Sequence, residues 1–438
     1  MTRTYLKRAT RTAHTGAADV RGTVRAMLED IEAGGDARAL HYAATLDGAR
    51  GDPRLTEAEI EAACAAVPEA VRRDIRFAHD NVRRFAEAQR ASLRDVEVEV
   101  RPGLVAGQRA IPVETAGCYV PGGRFSHVAS AVMTVTTARA AGCRTVAVAS
   151  PPRREGGLPP AIVFAARHCG ADAILAMGGV QGVAAMAFGL FGLPAADILV
   201  GPGNAYVAEA KRLLFGRVGI DMVAGPTDSL VLADRTADAA LVAADLVGQA
   251  EHGADSPVWL VTDDRALAER VMALVPERID ALPEPNRTSA RAAWGDCAEV
   301  ILCPDREAMA ACADAYAPEH LAVQAADLDW WLGRLRCYGS LFLGEETTVA
   351  FGDKAAGPNH VLPTSGAARY TGGLSVLKFL KTVTWQRATR EGVRPVAEAT
   401  ARISRLEGME GHARSADIRL ERWFGGEGSG GGDAAPEA

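Results

Sequence analysis

Between residue 116 and about residue 224 the sequence alternates short β-type runs with helical runs, and glycines punctuate the joins. That alternation constrains the fold more than any other feature. Strand, helix and strand in this order close most readily as parallel neighbours joined by a crossover. Cys118-Tyr119-Val120 is a short strand that ends in Pro121-Gly122-Gly123. A helix at about 129–141 leads to a strand at 145–149, and a helix at 160–168 leads to a strand at 173–176. Gly178-Gly179, a helix at 183–188 and a strand at 198–200 follow. Gly201-Pro202-Gly203-Asn204 then opens a further helix. Glycine turns from strand ends into helix starts leave backbone N–H groups where a phosphate can sit. None of these turns carries Gly-x-Gly-x-x-Gly, so alone they also read as plain turn chemistry.

A second stretch of the same kind runs from 227 to about 362, with strands at 230–232, 258–261, 299–302, 322–324 and 341–343. The expected fold class is therefore α/β, with parallel-type sheets and a cleft between two units. Residues 21–95 read as helices (24–33, 56–66 and 68–93), and 96–101 alternates as a strand before the Pro102-Gly103 turn. After residue 371 the reading is mostly helical, at 376–380 and 395–410. Residues 1–20 lack a period and read as an arm. Residues 425–438, rich in Gly, Ala and acids, read as a disordered tail.

The bulk numbers exclude several classes. A net charge of −7 over 438 residues gives no basic footprint for nucleic acid and no polybasic patch for a membrane. No apolar run reaches the length of a membrane span. The basic start is followed by no apolar signal region, which points to a cytoplasmic protein. The eight cysteines never form Cys-x-x-Cys and read as reduced and mostly buried.

Chemistry concentrates in four polar constellations: Gln249-x-x-His252, Glu319-His320, Asp353 with His360, and Glu407 with His412. Gln249 and His252, three apart, share one face of a helix end that Gly253 would stop. An amide oxygen and an imidazole there can hold a metal; alone, they read as well as a polar helix end facing water. N and O ligands without Cys suit a catalytic rather than a structural zinc. In Glu319-His320, one group can serve as general base while the other activates water. His14, His41, His79, His127 and His168 lack such partners in sequence and read as structural or surface residues.

Six stretches in order, Tyr119-Val-Pro-Gly-Gly123, Gly201-Pro-Gly-Asn204, Gln249-Ala-Glu-His-Gly253, Tyr316-Ala-Pro-Glu-His320, Asn359-His-Val-Leu-Pro363 and Glu407…His412, resemble the histidinol dehydrogenase family. The similarity spans roughly residues 20–422. It implies two Rossmann-like domains, 119–226 for NAD and 21–118 with 227–371 for zinc and catalysis. A C-terminal dimerisation segment at 372–424 would make a homodimer. It implies one zinc per subunit and two successive NAD-linked oxidations, alcohol to aldehyde to carboxylate. By resemblance the zinc ligands are Gln249, His252, Asp353 and, from the second subunit, His412. Glu319 and His320 are the catalytic pair. Tyr119, Gln181 and Asn204 are the NAD contacts. Thr227, His320 and Glu407 join the metal ligands around the substrate, with Glu407 and His412 supplied by the partner. His360 reads as a turn residue and stays outside the zinc set.

Departures from the family pattern bear on the substrate. The family typically has Gly-Pro-Ser-Glu where this chain has Gly225-Pro226-Thr227-Asp228, and Tyr where it has Lys354. Ala368-Arg-Tyr-Thr-Gly-Gly373 and Lys378-Phe-Leu-Lys381 resemble a paralogous branch that oxidises a dihydroxypropane sulfonate to sulfolactate. Lys354, one residue from a zinc ligand, is then a substrate contact for a small anion, and Arg369 a candidate second cation. Two other readings fit the same fold: L-histidinol dehydrogenase of histidine biosynthesis, and a non-catalytic binding protein. The full ligand set and Glu319-His320 argue against the latter.

Overall fold

The structure, a computed structural model, describes residues 3–11, 17–49, 51–122, 126–153, 156–223 and 225–425. The tail expected at 425–438 falls outside these, apart from Gly425. The chain packs as two units, residues up to 92 with 112–380, and residues 93–111 with those from 381 onward.

In the first unit, strand β1 (Thr4–Lys7) precedes helices α1 (Ala17–Asp47), α2 (Glu57–Ala65) and α3 (Glu69–Ala91). Part of the expected arm is thus a strand. Thr56 opens α2 with a capping box: its side chain accepts from Glu59 N–H while the Glu59 carboxylate accepts from Thr56 N–H. The second unit takes the next two strands, β2 (Val96–Arg101) and β3 (Leu104–Pro112), which pair antiparallel across the Gly103 turn. Gly103 sits at φ +76°, in the left-handed region.

The alternating region then gives β4 (Thr115–Tyr119), α4 (Val128–Ala141), β5 (Thr145–Ser150), α5 (Pro160–His168), β6 (Ala173–Ala176), α6 (Gly179–Phe188), β7 (Ile198–Val200), α7 (Ala205–Leu214) and β8 (Gly219–Ile220). These strands form one parallel sheet ordered β6-β5-β4-β7-β8. Numbered along the chain, that order is 3-2-1-4-5, the first five strands of the doubly wound order 3-2-1-4-5-6, with its switch point between β4 and β7.

The next run supplies β9 (Ser229–Ala233), α8 (Ala239–Ala250), β10 (Val258–Thr262), α9 (Arg265–Asp280), α10 (Asn286–Ala292), β11 (Glu299–Leu302), α11 (Arg306–Tyr316), β12 (His320–Gln324), α12 (Leu328–Arg334), β13 (Ser340–Leu343) and α13 (Val349–Lys354). Its sheet is ordered β1-β11-β10-β9-β12-β13. Without β1, which pairs antiparallel on the edge, the order is again 3-2-1-4-5, all parallel. Both faces of this sheet are covered: Leu230 and Leu232 of β9 enter one apolar layer, Val231 and Ala233 the other. Each fully buried leucine or valine among them contributes about 1.5–3 kcal/mol.

The second unit closes with β14 (Leu380–Ala388), α14 (Arg390–Leu406) and α15 (Glu410–Phe424). The helical reading of 376–380 is corrected here. Val376–Phe379 is one 3-10 turn, and the chain continues as a strand beside β3. In β14, Val and Trp alternate with Thr and Gln, a strand pattern. The Trp385 ring lies where a Cβ on Gly107 of β3 would be, so the ring packs directly on bare backbone. Helix α15 also extends the helical region well past 410, and α14 accommodates Pro395 in its interior near the N-terminus.

Candidate active site

Thr227 and Asp228 immediately precede β9, and Glu319 immediately precedes β12. His320 is the first residue of β12, in register with Ser229, the first of β9. The catalytic pair expected from sequence therefore stands at the amino-terminal edge of the second sheet. Helix α8 leaves the carboxyl end of β9 and runs back, so its last turn, with Gln249, returns to that edge. Helix α13 returns in the same way from β13 and carries Asp353 as its penultimate residue.

One correction concerns α8: it ends at Ala250, and His252 lies in the turn beyond, its N–H donating to Gln249 O at 3.3 Å. The turn replaces the last helical step.

Asp228 organises the centre. Its carboxylate accepts Glu319 N–H at 2.7 Å and Ser365 N–H at 3.0 Å, and its carbonyl accepts His320 N–H at 3.3 Å. Glu319 Oε2 accepts the Thr227 hydroxyl and, at 3.2 Å, Asp228 N–H. The His320 ring has Nδ1 3.3 Å from Asp228 O and 3.6 Å from Glu319 Oε2. A proton on Nδ1 is donated to Asp228 O, with Glu319 Oε2 at charge-contact distance. His320 Nε2 then lies 3.4 Å from Asp353 Oδ1, a charge contact, and is buried without a hydrogen-bond partner. His252 Nε2 is 3.9 Å from Asp353 Oδ2. Gln249 Oε1 is likewise buried without a partner.

Burial and neighbouring charge shift these groups strongly. Glu319 is pushed up to about 7, by burial first and by the charges of Asp228 and Asp353, against the opposing pull of His320. Burial alone would lower His320, but Glu319 and Asp353 outweigh it and raise it to about 9. Asp353 is held down near 2: burial opposes this, and the contacts with His320 overcome it. The His252 side chain keeps 39% exposure, yet crowding by protein atoms holds its pKa below the ordinary value.

The donor set fits a metal. Gln249 Oε1 is an unused buried acceptor, and His252 and Asp353 converge within 4 Å. Among the described residues no three His, Cys, Asp or Glu side chains surround one metal position; this unit brings two such side chains and Gln249. Glu407 and His412 are exposed in the second unit, at the end of α14 and the start of α15.

His360 has both ring nitrogens engaged, Nδ1 with Asp353 O at 2.7 Å and Nε2 with Ser130 Oγ of α4 at 3.0 Å. It braces Asp353 from behind, in keeping with its place outside the ligand set. His127 is half-buried, and burial together with the charges of His360, Lys354 and His252 lowers its pKa to about 4. No spacing rule pairs residues 127 and 252. Asp228 was visible only as a departure from Gly-Pro-Ser-Glu. Lys354 is exposed, but its charge reaches His252, Asp353 and His360. Arg369 instead donates to the carbonyls of Ala315 and Gly366, beside the end of α11.

The residues expected to contact a dinucleotide lie at the carboxyl edge of the first sheet, about its switch point. Tyr119 ends β4, and its hydroxyl accepts Gly179 N–H at 3.0 Å. Gln181 sits in the first turn of α6, 1% exposed. Asn204 caps α7, its Oδ1 accepting the N–H groups of Tyr206 and Val207 at 3.1 Å. Gly201, at φ +111°, packs so closely on the Tyr119 carbonyl that a Cβ would overlap it. Behind this turn, buried Lys211 donates to Gly201 O at 2.9 Å and pairs with buried Asp221, which accepts Gly201 N–H at 2.7 Å.

The histidinol dehydrogenase family model matches residues 10–420. Sulfopropanediol 3-dehydrogenase of Ruegeria pomeroyi is 70% identical over 424 residues, covering 97% of this chain and 98% of its own. A histidinol dehydrogenase homolog of the same organism is 64% identical over 422 residues, covering 96% and 98%. The crystal structure of histidinol dehydrogenase from Elizabethkingia anophelis matches with a TM-score of 0.89 at 33% identity, covering 94% of this chain and 95% of that one. On matches of that length and depth, the chain belongs to the histidinol dehydrogenase family.

Proposed function

We propose that this protein is a zinc-dependent, NAD-linked dehydrogenase that oxidises a small anionic primary alcohol, such as 2,3-dihydroxypropane-1-sulfonate, through an aldehyde to a carboxylate. The observation carrying the reading is the pair of buried unpartnered atoms, Gln249 Oε1 and His320 Nε2, on elements that converge at Asp353. Gln249, His252 and Asp353 would hold zinc, with His412 from a second copy of the chain. Tyr119, Gln181 and Asn204 would hold NAD. Zinc at that place supplies a Lewis acid for the substrate oxygen, and NAD supplies the hydride acceptor.

The chain's own residues do the rest. His320, its Nδ1 directed to Asp228 O, would present Nε2 as the base that takes the hydroxyl proton once zinc on Asp353 offsets the carboxylate charge that otherwise keeps the ring protonated. Glu319, oriented by Thr227 and by Asp228 N–H, draws a proton from the water that adds to the aldehyde. Thr227, with Glu407 from a second copy of the chain, would hold the substrate beside these groups. Lys354 attracts the anionic end and repels the ammonium of an amino alcohol.

Residues 119–226 would form the cofactor domain, and 21–118 with 227–371 the catalytic one. The 372–424 segment would make a homodimer. Ile403, Leu406, Met409 and Ile418 are exposed apolar residues around Glu407 and His412, a surface suited to burial against another copy. The 70% identity to sulfopropanediol 3-dehydrogenase supports the anionic substrate. The cytoplasm is the proposed site of action, and eight free cysteines support it. No helix among the described residues is long and apolar enough to cross a membrane.

The test compares kcat/KM for 2,3-dihydroxypropane-1-sulfonate and L-histidinol. Wild type should favour the sulfonate, and Lys354→Tyr should narrow the preference by about tenfold to a hundredfold, the worth of one charged contact. A wild-type preference for L-histidinol would return the chain to histidine biosynthesis.

A further inference from the structure

Asp47 is the last residue of α1. A carboxylate there faces the negative end of its own helix dipole, so helix stability does not account for it. Its bonds run instead to the turn between β6 and α6. Asp47 Oδ2 accepts Gly178 N–H at 3.0 Å and Gln181 Nε2 at 2.8 Å. An ionised carboxylate only accepts, so the Gln181 atom facing it is the amide nitrogen. The amide oxygen must then point away. Gln181 Oε1 is indeed buried with no hydrogen-bond partner, on a residue 1% exposed.

The surrounding turn offers that oxygen no side chain. Gly179, at φ +55°, has only a hydrogen where a Cβ would come within 3.0 Å of Gln181 Oε1. The Gly179 N–H is already spent on the Tyr119 hydroxyl. A fully buried acceptor held in this way is complementary to an N–H donor from outside the protein.

We propose that Asp47 is a positioning residue of the cofactor site, which locks the Gln181 amide so that Oε1 is the acceptor offered to an N–H donor of the bound dinucleotide. This rests on the reading of Gln181 as an NAD contact. NAD carries two amino groups of the required chemistry, in the nicotinamide carboxamide and on the adenine ring. Two analogues separate them: 3-acetylpyridine adenine dinucleotide lacks the first, and nicotinamide hypoxanthine dinucleotide lacks the second.

The experiment measures dissociation constants of NAD and both analogues on the full-length protein, for wild type, Asp47→Asn and Gln181→Ala, with unfolding midpoints alongside. The carboxamide introduced by Asp47→Asn can donate or accept, so it no longer dictates which way the Gln181 amide faces. Wild type should bind one analogue about tenfold more weakly than NAD, since an unmatched buried acceptor costs about that factor. The analogue affected identifies the donor. Asp47→Asn should weaken NAD about tenfold and bring that analogue within about twofold of NAD. If wild type discriminates against neither analogue, the proposal falls. If Asp47→Asn lowers the midpoint but keeps the discrimination, Asp47 merely caps α6, and the proposal is overturned. The same holds if Asp47→Asn keeps both affinity and discrimination while Gln181→Ala loses NAD. If Gln181→Ala binds NAD as wild type does, the reading of Gln181 as an NAD contact is itself at fault and takes the proposal with it.

Discussion

The two parallel sheets of the first unit are wound in the same 3-2-1-4-5 order, yet their candidate sites lie at opposite edges. In the first sheet Tyr119, Gln181 and Asn204 gather at the carboxyl ends of the strands. In the second, Thr227, Glu319 and His320 stand at the amino ends, where α8 and α13 finish. Helix dipoles give this difference a physical sense. Every βαβ crossover places helix N-termini at the carboxyl edge and helix C-termini at the amino edge. The first carries partial positive charge and suits a pyrophosphate; the second carries partial negative charge and suits a metal cation or an imidazolium. Winding alone therefore does not locate a site. The charge of what must be bound selects the edge.

The comparison can be broken at either edge. The largest effect is expected at the amino edge of the second sheet. Removing the proposed base with His320→Asn should cut both alcohol and aldehyde oxidation by about 10²–10⁴-fold, whereas Glu319→Gln should slow aldehyde oxidation more than alcohol oxidation. Single-turnover rates with each substrate check this, and equal losses in both steps for Glu319→Gln would reject the division of roles.

At the other edge the expected effect is on stability. Lys211 and Asp221 are almost completely buried and pin both backbone groups of Gly201. Lys211→Met leaves a carboxylate buried and unpaired, so denaturant unfolding should show a loss of about 3–5 kcal/mol. Restoring neutrality with Lys211→Met/Asp221→Asn should recover part of it; no recovery would mean that the charge itself is not what matters.

Titration sharpens the contrast, because the strongly shifted carboxyl is at the catalytic edge. Glu319 is raised from 4.5 to about 7 by burial, and its proposed role needs the ionised form. Aldehyde oxidation should therefore fall as pH drops through about 7. A limb that falls only near pH 4–5 would contradict the shift.

The smallest effect is a helix cap. Asn204→Ala removes the acceptor for two N–H groups of α7 and should cost about 1 kcal/mol in unfolding free energy, with weaker NAD binding.

The alternation of strands and helices was legible because buried parallel strands are apolar runs bounded by glycine turns. Polar strands were harder. The strand at 4–7 lies in an arm without period, and the strand at 380–388 directly follows a helical run, so only its Thr-Val-Thr-Trp alternation marks it. β12 begins at His320 rather than 322, since Glu319-His320 resembles a loop until a partner strand is known. Gln249-x-x-His252 and Glu319-His320 stand out by their own spacing and chemistry, whereas the roles of the other candidate site residues come from the family motifs. Asp228 was legible in neither way, because its role depends on Glu319, 91 positions away, and on a backbone N–H at Ser365. Strand order, and with it the opposite edges, lies in no local pattern.

The proposed assignment puts the cation at the amino edge of the second sheet and the dinucleotide at the carboxyl edge of the first. The most direct measurement is metal content by mass spectrometry alongside NAD affinity by titration, on wild type, His252→Ala, Asp353→Ala and Gln181→Ala. Wild type should carry one zinc per subunit. His252→Ala and Asp353→Ala should lose it and still bind NAD, and Gln181→Ala should keep zinc and bind NAD more weakly. Zinc retained in both His252→Ala and Asp353→Ala, or lost in Gln181→Ala, would contradict the assignment of the two edges.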